Sequence, residues 1–155
     1  MKSQATKDGS PNQDDSGKPV SFNKEAPELT PPIQVIVDIV FRHGVFFVSV
    51  ENISDQPAYR VSIHWETPFR GLGGTQTTSD LPLFKNIDFL APHKVIETLL
   101  DTSQAYFQRR EPTHLEATIQ HKDAWGQSYC HTIHHNLEIY RDLVYQTTSD
   151  RQNKA

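Results

Sequence analysis

The sequence holds a single cysteine, Cys130, in 155 residues, so no intrachain disulfide can staple it. Small secreted β-domains commonly rely on such staples. The opening stretch through Pro32 is polar throughout and has no apolar core of the kind a signal peptide needs. Both absences favour a reducing, cytoplasmic setting. No apolar run approaches the roughly 18 residues a spanning helix requires, so membrane insertion by this chain is not expected. Charge of one sign is also lacking: 15 Lys and Arg stand against 19 Asp and Glu, a net charge of −4. Nucleic-acid affinity rests on clustered cations meeting phosphates. The one dense basic pair, Arg109-Arg110, is followed at once by Glu111, so nucleic acid is not an expected partner.

Long helical periodicity is absent as well. What is present is a central region of period-two patterning between two polar ends. Residues 1–31 are rich in Pro, Ser, Asp and Lys and bury too little apolar surface to offset ordering entropy, so they read as a disordered tail. Residues 147–155 read the same way. The span 32–146 is left as one domain, and roughly 110 residues suffice for a core without staples.

Within that domain "IQVIVDIVF" places Ile33, Val35, Val37, Ile39 and Phe41 on one face. "GVFFVSVEN" places Phe46, Val48 and Val50 together, after a turn at Arg42-His43-Gly44. "AYRVSIHWE" alternates most cleanly, with Tyr59, Val61, Ile63 and Trp65 against Arg60, Ser62, His64 and Glu66. A long loop runs from Thr67 to about Pro82. "LFKNIDFL", "KVIETLLD", "HLEATIQHK" and "QSYCHTIHHNLEI" follow, the last two joined by "DAWG", where Asp123 opens a turn and Gly126 takes its left-handed position. "TSQAYFQRRE" makes one helical turn with Ser103 as the candidate N-cap. Six to eight short strands with frequent turn signals argue an all-β antiparallel sandwich, with a barrel as the nearest alternative.

Three stretches carry a family resemblance. "VSVENISDQPAYRVSIHW", through Val48, Val50, Asn52, Ser54 and Ala58, resembles a hairpin of bacterial immunoglobulin-like domains of the cell-adhesion-related (CARDB) type. "IDFLAPHK" is similar to their Leu-Ala-Pro-Gly turn, with His93 in the glycine place. "HKDAWGQSY" resembles their last hairpin, with His121 in the place of the first tyrosine. The likeness covers about Ile33 to Tyr140. It implies an immunoglobulin-like sandwich of about seven strands used for binding, tethering or spacing. No catalytic residue carries over. Trp65 occupies the place of the antibody-type core tryptophan, but the paired cysteines that flank it in antibody domains are missing.

"CHTIHH", Cys130 to His135, collects zinc's preferred ligand types in six residues. In a strand, positions four apart are separated by about 13 Å at roughly 3.3 Å per residue. Zinc ligands lie about 2.0–2.3 Å from the metal. His131 and His135 therefore cannot share an ion, nor can Cys130 and His134. If Asp123 pairs with Gln127 across the turn, Ile119 lies opposite His131, Ala117 opposite Ile133, Leu115 opposite His135, and His121 opposite Tyr129. None of these pairs supplies two ligands. The expectation is no metal site, with the histidines as polar β-surface and sheet-rim residues.

Other chemistry is thin. "GLGG", Gly71 to Gly74, lacks the following helix and lysine of a phosphate loop. Cys130 and His131 face opposite sides of the strand, so they form no nucleophile–base pair. No catalytic residue and no cofactor site is expected. The long loop is the first binding candidate, through Phe69 and Arg70, residue types enriched in interfaces. "AYFQRR" is the second, through Tyr106, Phe107, Arg109 and Arg110. Tyr106 and Phe107 have a competing reading as caps on one end of the core. The functional expectation is a non-catalytic module contacting an unidentified protein partner. The alternative is a spacer or tethered domain of a membrane- or surface-associated protein, with the polar N-terminal segment as its tether. The sequence leaves oligomeric state open.

Overall fold

The structure, a computed structural model, describes residues 34–143. The expected tails 1–31 and 147–155, and the adjoining ends of the expected domain, lie outside the described residues.

The chain begins with β1 (Val35–Arg42) and β2 (Val45–Asn52), joined by a two-residue turn. His43 and Gly44 both hold positive φ there, 50° and 79°, the backbone of a tight hairpin turn. β3 (Ala58–Trp65) follows, then the long connection, which folds into the short pair β4 (Arg70–Gly71) and β5 (Gln76–Thr77) and the helical turn α1 (Pro82–Lys85). β6 (Ile87–Leu90) and β7 (Val95–Thr102) lead to α2 (Ser103–Gln108). β8 (His114–Lys122) and β9 (Ser128–Asn136) complete the chain of strands.

Seven of these strands form an antiparallel β-sandwich. One sheet has the order β1-β2-β7 and the other β6-β3-β8-β9, while β4-β5 is a separate two-stranded patch. Two distinct sheets replace the barrel alternative. The alternation read from the sequence is what closes the sandwich. Val35, Val37 and Ile39 from β1 and Phe46, Val48 and Val50 from β2 meet Val61, Ile63, Trp65, Leu115, Ala117 and Ile119 of the other sheet in one buried core. Burial of each such side chain contributes roughly 1.5–3 kcal/mol.

Two details differ from expectation. Tyr59 does not share the inward face of Val61. The β3–β8 ladder slips between Tyr59 and Ser62, and Arg60 takes φ 50° at the irregularity. This bulge turns Ala58 inward and leaves Tyr59 half exposed, packed on Phe89 at 5.5 Å between ring centroids. The N-cap of α2 is Thr102, whose Oγ1 accepts from Ala105 N at 3.2 Å, rather than Ser103. The β8–β9 register, by contrast, matches the turn-based expectation at all four pairs.

The strand directions sort the connections onto two ends. One end carries the β1–β2 turn, the long β3–β6 connection and the β7–β8 connection. The other carries the start of β1, the β2–β3 loop, the β6–β7 turn and the β8–β9 turn. Among the described residues no helix is long and apolar enough to cross a membrane.

Candidate functional site

All six side chains singled out from the sequence lie at the first end, and most are used internally. Phe69 and Tyr106 are 0% exposed and belong to the core; this corrects the reading of Phe69 as a partner contact and agrees with the reading of Tyr106 as a cap on the core. Phe69 packs edge-on against Trp65 at 4.9 Å between centroids. Tyr106 donates its hydroxyl to Pro112 O at 2.6 Å, and burial, with the Glu111 charge, raises its pKa. The physical reason is plain: a ring in a long connection finds more apolar area beneath the sheets than in water. Phe107 is half-buried beneath the Arg141 guanidinium, 4.3 Å from its centroid.

The cations of this end are a staple. Buried Glu111 accepts from Arg70 N and from Arg70 Nε, both at 3.2 Å. Arg109 reaches buried Asp101 at 2.7 Å and Glu111 at 3.5 Å, and donates to Arg70 O at 3.3 Å. Asp101 also accepts from Gly73 N at 3.0 Å. These contacts tie the long connection to β7 and α2, leaving Arg110, exposed at φ 54°, as the freest of the six. The glycines serve close approach. A Cβ on Gly71 would stand 2.2 Å from Leu100 O.

The histidines follow the strand reading. His131 and His135 lie half-buried on the inward face of β9 at the rim of the sandwich, beside β1. His135 Nδ1 also lies 3.9 Å from Asp38 Oδ1. His121, buried on β8, stacks on Tyr129 at 5.2 Å and meets His131 edge-on at 6.3 Å. Burial lowers the pKa of all three. His134 faces outward and pairs with its cross-strand neighbour Glu116 at 3.6 Å. Among the described residues no three His, Cys, Asp or Glu side chains converge as a metal set.

The second end is built differently: its polar contacts shape loops and leave aromatic surface outside. Asn52, buried at the end of β2, donates to Gln56 O at 2.7 Å and Leu90 O at 3.1 Å and accepts from Ser54 N at 3.0 Å. One side chain thus folds the β2–β3 loop and docks it on β6. Gln34 Nε2 donates to Gln56 O and Pro57 O, each at 2.8 Å, anchoring the start of β1 to the same loop. His93 of the β6–β7 turn meets Asp55 at 2.7 Å.

The β8–β9 turn is locked by Asp123. Its Oδ1 accepts from Trp125 N and Gln127 N, both at 2.9 Å, and its Oδ2 accepts the Tyr129 hydroxyl at 2.9 Å. Burial pushes the Asp123 pKa up, but the Tyr129 hydroxyl and the Gln127 and Trp125 amides outweigh it and hold it below the ordinary value. The turn presents Trp125 to solvent at 81% exposure. Beneath it lies a groove of about 180 Å³ lined by Gln34, Ser54, Gln56, Asp123, Trp125 and Tyr129. Exposed Phe89 and Ile53 lie on β6 and the β2–β3 loop.

Sequence reasoning read "DAWG" only as a turn. The overlooked signal was the residue type: a tryptophan between the opening aspartate and the glycine of a tight hairpin sits at the tip, beyond reach of the core.

The comparison that bears on identity covers this whole arrangement. The chain belongs to the family described as Domain of unknown function (DUF8453), whose model matches residues 18–141. No curated protein and no solved structure matches the chain. The matched span contains both sheets and both loop ends.

Proposed function

We propose that this chain is a non-catalytic, immunoglobulin-like β-sandwich module that binds a protein partner through the loop end around Trp125. The observation that carries the reading is a highly exposed tryptophan on a hydrogen-bonded turn. A tryptophan offers roughly 150–250 Å² of contact area to a partner that covers it. Tryptophan is also among the residues that dominate interface energetics. Three hydrogen bonds to Asp123 hold its turn in place beforehand, which lowers the ordering cost of association.

The chemistry of the site agrees with binding rather than turnover. Cys130 is exposed on the outer face of β9 while its neighbour His131 faces the rim. The loop-end carboxylates Asp55 and Asp123 are both engaged, by His93 and by the hairpin turn.

The test is affinity capture from source-cell lysate with three baits: the native chain, Trp125→Ala and Arg110→Ala. Far-ultraviolet circular dichroism confirms that each is folded. The reading predicts a partner held by the native and Arg110→Ala baits and lost by Trp125→Ala. Equal capture by all three, or none above an unrelated β-domain, contradicts it.

A further inference from the structure

Beside the loop end, on the outer face of the four-stranded sheet, the β3–β8 irregularity builds a second feature. Arg60 holds φ 50°, a conformation uncommon for a residue other than glycine, asparagine or aspartate. Such backbone strain collects where a side chain must be aimed, and bulges re-aim side chains in this way. On the same face Tyr59 pairs with Lys122, Ser62 with Gln120, Gln120 with Cys130 and Lys122 with Ser128. Arg60, Ser62, Gln120, Lys122, Ser128 and Cys130, with His121 and Tyr129, line an open cavity of about 340 Å³.

Arg60 and Lys122 bring two cations to the cavity, and its lining holds no carboxylate. Among the described residues neither Arg60 nor Lys122 has a carboxylate within ion-pair distance. Asp88 lies across from Arg60 on β6 but forms no ion pair with it, one of its oxygens accepting from Asn86 Nδ2 at 2.5 Å. Both oxygens of Asp123, next to Lys122, are taken by its own turn and Tyr129. Like charges on neighbouring strands repel. In a chain of net charge −4, two cations lining one cavity with no ion-pair partner among the described residues, together with neutral donors, are an arrangement that an anion completes.

We propose that this cavity binds a phosphate-type oxyanion, with Arg60 and Lys122 supplying charge and Ser62, Ser128 and Gln120 supplying neutral donors. The planar Arg60 fork suits two oxygens of one phosphoryl group. The group arrives either as free phosphate or on a phosphorylated side chain. The inference does not rest on the Trp125 reading.

Cys130 supplies the readout. It is the only cysteine, is exposed and lines the cavity, so its alkylation rate with uncharged iodoacetamide reports occupancy. The rate is measured against inorganic phosphate, a phosphoserine peptide and the same peptide unphosphorylated, with ionic strength held constant by chloride. Native protein, Arg60→Gly and Lys122→Gln are compared; glycine keeps the positive φ while removing the guanidinium. The proposal predicts saturable slowing of alkylation by phosphate, with the apparent affinity falling about tenfold in each variant. Protection at lower concentration by the phosphopeptide than by phosphate assigns the group to a partner, and the reverse order assigns it to the free ion. No saturable slowing by either phosphoryl compound, or slowing undiminished in both variants, overturns the proposal.

Discussion

The Tyr129 hydroxyl donates to Asp123 Oδ2 at 2.9 Å, joining the start of β9 to the turn that precedes it. The other carboxylate oxygen holds the Trp125 amide at the same distance. A single aspartate therefore fixes both the strand exit and the residue displayed at the tip.

Replacing Asp123 separates display from rigidity. Asp123→Ala keeps the tryptophan but removes three acceptor contacts. The expected outcome is weaker partner capture than native, together with faster amide exchange at Trp125 and Gln127. Unchanged capture alongside fast exchange would show that a preformed turn is not required.

The rim histidines make stability fall on mild acidification. Burial holds the folded-state pKa of His121, His131 and His135 below the ordinary value of about 6.5. Below that value the unfolded chain takes up protons that the folded rings refuse, so stability drops as pH falls. Above it the contribution is complete. Groups facing these rings act in both directions: Asp123 and Asp38 favour the charged forms of His121 and His135, while His131 and His134 oppose them. Asp123, held below the ordinary carboxylate value, loses its contribution only at lower pH. The urea midpoint is predicted to decline between pH about 7.5 and about 5.5. His121→Leu, which forfeits no hydrogen bond to the described residues because neither ring nitrogen has a partner among them, should flatten that decline.

Phe69 and Arg110 lie at the same end and should behave oppositely. Phe69→Ala opens a core cavity beside Trp65 and is expected to cost about 3–5 kcal/mol. Arg110→Ala is expected to stay within about 0.5 kcal/mol of native. Chemical denaturation of both variants checks the pair.

How far the sequence disclosed this structure varies with the kind of information each feature needs. The β8–β9 register was legible because Asp123 and Gly126 specify the turn, and a turn specifies every pair behind it. The division of the histidines between the two faces of β9 was legible for the same reason. Tyr59 was misplaced because nothing in the residue type of Arg60 announces a bulge. Phe69 was misplaced because a loop aromatic folds inward or outward according to the space beneath it, which only the packed sheets define. Trp125 was legible in principle, from its place at a hairpin tip, and was read only as part of a turn.

Gly71 tests the close approach of the long connection to β7. Its missing Cβ leaves room for Leu100 O, which a side chain would meet at 2.2 Å. Gly71→Ala is predicted to destabilise by about 1–3 kcal/mol, the usual range for overpacking. Because the defect lies at the far end, capture through Trp125 should persist wherever the variant is folded.

The most direct test of the account asks which end of the sandwich meets the partner. A photo-crosslinking amino acid is placed at position 125 in one variant and at position 110 in another, and each is irradiated in source-cell lysate. The account predicts a specific adduct from position 125 and none from position 110. An adduct from position 110 alone, or none from either, would contradict it.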